Sequence, residues 1–119
     1  MKKGIGRQGE TIAAEYLMKK GYRVLHRNWY YEKKELDIVV TDDRFLVVVE
    51  VKTRAGELLE NPEDLITKRK IHFLIEAADA YIKRFDIDIE VRFDLIIVLL
   101  GMGTPAIEHI ERAFFPTIS

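Results

Sequence analysis

The sequence predicts an α/β fold, a mixed β-sheet flanked by helices with elements in the order αβββαββ. Three observations carry this. Apolar residues recur at helical spacing over residues 7–20 and 62–84. Between and after those stretches, short runs rich in Val, Ile and aromatic residues are bounded by turn signals. Some neighbouring strands are joined by a tight turn and others by a helix, so antiparallel and parallel pairs must share one sheet.

Each element has its own signature. In the first helix Ile12, Ala13, Tyr16 and Leu17 share a face, and Gly21 stands where a helix stop is expected. Residues 22–31 are aromatic and β-branched, interrupted by basic residues, and read as a strand. Residues 35–40 and 45–53 flank Thr41-Asp42-Asp43-Arg44 and read as a β-hairpin in which Val40 pairs with Phe45. Residues 54–61 form a polar loop. Asn61-Pro62-Glu63-Asp64 combines a capping residue, an early proline and two first-turn acids, so the long helix is expected to begin there and run to about residue 84. A strand at 90–100, a turn at Gly101-Met102-Gly103-Thr104-Pro105 and a short last strand at 106–110 complete the chain.

A chain of 119 residues has room for one hydrophobic core, and residues 1–119 read as a single domain. With no cysteine, disulfides and thiolate metal sites are excluded. The start, Met1-Lys2-Lys3-Gly4-Ile5-Gly6, lacks the apolar stretch of a secretory signal, and the apolar run at 95–100 is too short to span a bilayer. A soluble cytoplasmic protein with no membrane partner is expected. The net charge of −1 hides an asymmetry: residues 1–34 hold nine Lys/Arg against three Glu, and the remainder ten against seventeen acids. Such a chain can set a basic face beside an acidic pocket, or simply solubilise two faces.

The chemistry concentrates in the hairpin. With Val40 opposite Phe45, Asp37 faces Val48 and Glu35 faces Glu50, so Asp37, Glu50 and Lys52 project from one side. Asp37 and Glu50 are then diagonal neighbours, roughly 7–8 Å apart at the backbone. Two carboxylates at that spacing can share a hard cation such as Mg²⁺, and Lys52 would add a positive charge for orienting a water or a phosphoryl group. A carboxylate after five apolar strand residues needs a partner, which a metal would supply. The competing reading is an ordinary Glu50–Lys52 ion pair with Asp37 solvated at an edge. Glu35 facing Glu50 would call for a cation between them. Glu10 leans toward the buried stripe of the first helix, either as a further ligand or as a first-turn acid favoured by the helix dipole.

Other groups are weaker signals. Lys68-Arg69-Lys70 near the helix start, with Arg54 on the loop after Lys52, could contact a phosphate backbone or merely be solvated. Trp29, Tyr30 and Tyr31 suit sheet packing better than base stacking. Arg92 and Asp94 read as a structural ion pair on the sheet face that carries the site. The three histidines share no metal spacing, and Gly4-x-Gly6-x-x-Gly9 follows no strand and so is not a dinucleotide fingerprint.

Gly6-Arg7-Gln8-Gly9-Glu10, Ala13-Ala14, Leu17, Gly21-Tyr22, Arg27-Asn28-Trp29, Glu35-Leu36-Asp37, Glu50-Val51-Lys52-Thr53-Arg54, Lys70, Leu74, Ala77-Ala78, Arg92-Phe93-Asp94 and Ala113-Phe114 occur in the order of the YraN-like uncharacterised bacterial protein family. The chain resembles that family from about Gly4 to Phe115. The family is similar to the restriction-endonuclease-like superfamily and to archaeal Holliday-junction resolvases. That resemblance implies a mixed β-sheet with an αβββαβ core flanked by helices and a short extra C-terminal strand. It also implies a nuclease-like site: Glu10 from the helix, Asp37 on the second strand, and Glu50 and Lys52 on the third, with Asp37 and Glu50 holding Mg²⁺ or Mn²⁺. Lys70 matches a family position, and Arg54, Lys68 and Arg69 are its candidate companions in binding DNA. The expected activity is metal-dependent cleavage of DNA, with branched or damaged forms as candidate substrates and a homodimer implied by the junction-resolving relatives. The alternatives are a non-catalytic nucleic-acid-binding module or a protein-interaction scaffold on the same fold. Lys34 departs from the family, which usually has Gly there, and places bulk and charge near the expected site mouth.

Overall fold

The computed structural model describes residues 4–114; Met1–Lys3 and Phe115–Ser119 lie outside the described residues. The elements are α1 (Ile5–Lys19), β1 (Arg23–Tyr31), β2 (Lys34–Thr41), β3 (Phe45–Ala55), a 3₁₀ turn (Pro62–Asp64), α2 (Lys68–Phe85), β4 (Glu90–Leu100) and β5 (Ala106–Phe114). One sheet holds the five strands in the order β1-β2-β3-β4-β5. β3 and β4, linked through α2, run parallel, and the other neighbours are antiparallel. Among the described residues no helix is long and apolar enough to cross a membrane.

The strand pattern assigns one helix to each face. Val47, Val49 and Val51 of β3, with Ile96 and Val98 of β4, pack against Ala13, Ala14 and Leu17 of α1. The alternate residues Leu46 and Val48, with Phe93, pack against Leu74, Ala77, Ala78 and Tyr81 of α2. Period-two strands buried on both faces explain why β3 reads as a continuous apolar run. α1 ends as expected at Gly21, whose φ of 99° lets the N–H of Gly21 reach the Met18 carbonyl and that of Tyr22 reach Leu17.

Two element boundaries differ from the sequence reading. Asn61-Pro62-Glu63-Asp64 starts only a 3₁₀ turn, and the Asn61 side chain makes no cap bond. Leu65, buried with Leu95 and Ile97, pulls the chain into the core immediately afterwards. α2 therefore begins at Lys68, with Thr67 Oγ1 accepting from the Lys70 N–H at 3.1 Å. β5 is also longer than the short strand expected, continuing to Phe114 through a bulge at Arg112 (φ 54°).

That bulge is built around Asp94, which is fully buried. Arg92 donates to it through Nε and Nη2, both at 2.9 Å, the Arg112 N–H donates at 3.2 Å, and His109 Nε2 lies at 2.7 Å. Arg92 Nη2 also reaches the Tyr22 hydroxyl at 2.6 Å, and the Tyr16 hydroxyl lies 3.1 Å from His109 Nδ1. This ties the C-terminal end of α1 to β4 and β5. Phe93 and Leu95 face the α2 side, so Arg92 and Asp94 face α1. They are an ion pair as read from sequence, but on the sheet face opposite Glu50. Glu50 is in phase with Leu46 and Val48.

Burial alone would raise the Asp94 carboxyl. The hydrogen bonds from His109 and Arg92, the Arg92 charge and the Arg112 N–H outweigh it and hold the group below its ordinary 3.8. A carboxyl depressed in the fold contributes stability above its unfolded value and loses it as pH falls through the folded one. Urea unfolding of wild type and Asp94→Asn between pH 6 and pH 2 should show the stability gap narrowing below about pH 4. A gap that stays constant or widens on acidification would contradict this.

Candidate functional site

β2 and β3 pair with Ile38 opposite Val49, Val39 opposite Val48, Val40 opposite Val47 and Thr41 opposite Leu46. This register is two residues away from the one that sets Val40 against Phe45. The turn explains the difference. Asp42 Oδ1 accepts from the N–H groups of Arg44 and Phe45 at 3.0 Å each, and Thr41 Oγ1 donates to the Phe45 carbonyl at 2.8 Å. Phe45 is thus drawn into the turn. An even displacement preserves faces. It also removes Glu35 from opposite Glu50 and makes Asp37 the next residue after the last paired rung, Ile38↔Val49.

At that point side-chain alternation in β2 breaks. Leu36 packs toward α2 and Ile38 toward α1, although two residues apart. In β1 the opposing change occurs around Asn28, whose φ is 52°: Trp29 packs on Tyr81 and Phe85 of α2, whereas Arg27 donates to Thr11 of α1. Asp37 sits in the break, 1% exposed, and its Oδ2 accepts from the Val51 N–H at 2.9 Å. A carboxylate has taken the place of a ladder carbonyl.

Glu50 is 3% exposed. Its Oε2 lies 3.3 Å from Lys52 Nζ and 3.8 Å from Lys70 Nζ, while Oε1 is buried and meets no hydrogen-bond donor among the described residues. Glu10, 2% exposed, accepts from Asn28 Nδ2 at 2.8 Å. Glu10 and Glu50 open onto one cleft of about 310 Å³. Gly6 and Glu10 line it from α1, residues 50–54 from β3, and Lys70 from α2. The first turns of both helices therefore meet at the C-terminal half of β3, where their dipoles favour negative ligands.

The predicted residues divide accordingly. Glu10, Glu50, Lys52, Arg54 and Lys70 line the cleft; Asp37 lies behind it against Val51. Arg54 is held by Glu60 through Nε at 3.2 Å and Nη2 at 3.0 Å. Lys68 is exposed and Arg69 stacks over Phe73 at 5.3 Å, neither lining the cleft. Lys34 pairs with Glu32 and Glu76 at 3.4 Å each, so it lies against α2 and not at the cleft mouth. A larger open groove of about 610 Å³ between β1 and α2 includes none of the predicted site residues. Sequence reasoning passed over Asn28, a positive-φ residue within a strand, and Gly9, whose role is steric. A Cβ on Gly9 would collide with Thr53 Oγ1.

Among the described residues no three His, Asp or Glu side chains gather in a group able to hold a metal ion. The donor chemistry nonetheless fits a hard cation: Mg²⁺ commonly takes one or two carboxylates and completes its shell with water and substrate phosphate. Glu50 Oε1 is a buried acceptor that no donor among the described residues meets, a placement that costs free energy until a cation or water meets it.

The five-stranded mixed sheet with a helix on each face is a fold shared with a solved structure. The Holliday junction resolvase Hjc of Archaeoglobus fulgidus superposes with a TM-score of 0.51, covering 88% of this chain and 75% of that one at 16% identity. The chain belongs to the uncharacterised protein family UPF0102, whose model matches residues 9–98. The UPF0102 protein of Phocaeicola vulgatus is 53% identical over 95% of this chain and 93% of that protein. The one from Parabacteroides distasonis is 46% identical over 93% and 92%.

The contact of Gly9 with Thr53 sets the distance between α1 and β3. Gly9→Ala should destabilise the fold by about 1–3 kcal/mol, the usual cost of overpacking. Adding Thr53→Ala should recover part of that loss, read as non-additivity in a urea double-mutant cycle. Strict additivity would mean that the two residues do not limit the approach.

Proposed function

We propose that this protein is a divalent-metal-dependent phosphodiesterase that cuts DNA in the bacterial cytoplasm, with residues 1–119 acting as a single nuclease-like domain. The observation that carries the reading is Glu50: a buried carboxylate with one oxygen facing two lysines and the other meeting no donor among the described residues, at a cleft lined by Glu10. A structural ion pair leaves no reason for a half-satisfied oxygen, and a cation bound there would satisfy it.

Asp37 and Glu50, with the Val51 carbonyl, would hold Mg²⁺ or Mn²⁺. Such an ion, when bound, lowers the pKa of a water and offsets charge building on the phosphate. The chain's own groups do the rest. Lys52 donates from its ammonium to the attacking water or to a non-bridging phosphate oxygen. Glu10 accepts a hydrogen bond from that water and fixes its lone pair toward phosphorus. The water oxygen bonds to phosphorus as one P–O ester bond breaks; the water's proton passes to the Glu10 carboxylate and the departing sugar oxygen takes one from solvent. Lys70 can pass from Glu50 to a flanking phosphate, and Arg54 can do likewise when released from Glu60. Lys68 and Arg69, exposed on the same turn of α2, extend the basic rim. Contacts of this kind hold the backbone and read no sequence. Branched or damaged DNA suits such shape-based recognition, and a symmetric homodimer would bring two clefts to the two equivalent strands of a junction.

Purified wild type should cleave one or more of junction, flap, nicked or duplex DNA with Mg²⁺ or Mn²⁺. Asp37→Ala and Lys52→Ala should each reduce cleavage by about 100-fold or more while circular dichroism is unchanged. Lys70→Ala should lower the salt dependence of DNA binding by about one unit of slope. Cleavage retained by both Asp37→Ala and Lys52→Ala would sink the catalytic assignment. Binding without product in either metal would move the reading to a non-catalytic nucleic-acid-binding module, and no binding at low salt would favour a protein-interaction scaffold.

A further inference from the structure

We infer that Asn28 is a positioning residue of this cleft, holding Glu10 and Glu35 in place through a single side-chain amide. The inference rests on the nuclease reading for its catalytic consequence. Asn28 Nδ2 donates to Glu10 Oε1 and to Glu35 Oε2, both at 2.8 Å. These acids come from different elements, the second turn of α1 and the start of β2. Two carboxylates brought within reach of one nitrogen repel each other unless a donor lies between them. The amide supplies one proton to each. It thereby fixes which oxygen of the buried Glu10 is occupied and how the carboxylate is turned toward the cleft it lines.

The backbone is arranged for this. Asn28 has φ 52° in the middle of β1, a left-handed conformation that Asn tolerates better than most residues. The conformation turns Asn28 toward α1 while its neighbour Trp29 packs toward α2. Arg27 donates to Thr11, adjacent to Glu10, at 3.1 Å and fastens the same stretch of β1 to the same turn of helix. A strand that needed only packing would keep its alternation. This one gives it up at the residue that carries the amide.

Asn28→Gly is the informative variant, because glycine accepts the positive φ without strain and removes only the donor. Asn28→Asp keeps shape and backbone tolerance but replaces the donor with a third carboxylate. Asn28→Gly should keep the wild-type circular-dichroism spectrum, whereas Asn28→Asp, with a third acid beside two, should lower the thermal midpoint. Asn28→Gly should lose about 10–100-fold in kcat or in Mn²⁺ affinity by calorimetry, the usual effect of removing a residue that orients a ligand, with KM for DNA changed less than about twofold. Asn28→Asp should fail to rescue kcat. A purely structural Asn28 would leave both quantities alone, and wild-type kcat and Mn²⁺ affinity in a folded Asn28→Gly would overturn the inference.

A second readout is independent of activity. The Asn28 side-chain amide signals in a ¹⁵N correlation spectrum should shift in Glu10→Ala and in Glu35→Ala. If wild type neither binds Mn²⁺ nor cleaves DNA, the nuclease reading fails, and these signals alone decide about Asn28. Movement with both variants upholds its grip on the two acids. Movement with neither overturns it.

Discussion

Glu50 is the residue on which the arrangement of the rest turns, because a carboxylate buried in a central strand must be answered by charge brought from elsewhere. Lys52 comes from the same strand and Lys70 from the first turn of α2. The place where α2 begins is therefore not incidental. With Thr67 as its cap, Lys70 stands at the helix entrance beside the end of β3. On the other face, Gly9 lets α1 approach Thr53 closely, which carries Glu10 to the same cleft. Two helices of opposite faces thus have their starts referred to one stretch of strand, residues 50–54.

The sheet accommodates the site by giving up regularity at one level. In β2 the change of side falls between Leu36 and Ile38, and in β1 between Arg27 and Trp29. These positions oppose one another, since Arg27 pairs with Ile38 and Trp29 with Leu36. The irregularity therefore runs across both strands and leaves Asp37 and Asn28 in its middle. Asp37 turns to a backbone N–H of β3, and Asn28 turns to α1. Bulges and left-handed residues inside strands are where ordinary packing has been overruled, and they cluster at sites that do something.

Much of this was legible in advance because it depends on short-range patterns. Helical spacing located α1 and its glycine stop, and the apolar runs located β3 and β4. Alternation within β3 alone put Glu50 and Lys52 on one face, a conclusion that does not depend on the hairpin register. What sequence could not reveal depends on competition between distant groups. Asn61, Pro62, Glu63 and Asp64 agree locally on a helix start, but burial of Leu65 against Leu95 and Ile97 overrides them. The hairpin register was decided by Asp42 and Thr41 hydrogen-bonding their own turn, which removed Phe45 from the expected rung. Asn28 belonged to the Arg27-Asn28-Trp29 match but no role followed from it; its part exists only once Glu10 and Glu35 have been brought together by the fold.

The protein's buried carboxylates differ in how completely their oxygens are met, and that difference is the physical ground for the role proposed for Glu50. Asp94 has Arg92, His109 and a backbone N–H on its two oxygens, and the cluster that satisfies it spans α1, β4 and β5. Such a group is closed: adding a ligand could only displace a bond already made. Glu50 is of similar burial and lies one residue along in β3 from the rung that Asp94 pairs with, yet its charge partners approach only one oxygen, and from 3.3 and 3.8 Å. Ammonium groups at those distances can leave for a better anion at small cost, whereas the bidentate Arg92–Asp94 pair at 2.9 Å cannot. Had Glu50 been selected for stability alone, an apolar residue of similar volume would serve at least as well. Keeping an acid there, with movable cations on one side and an oxygen that no donor among the described residues meets on the other, is what the proposed cation site requires.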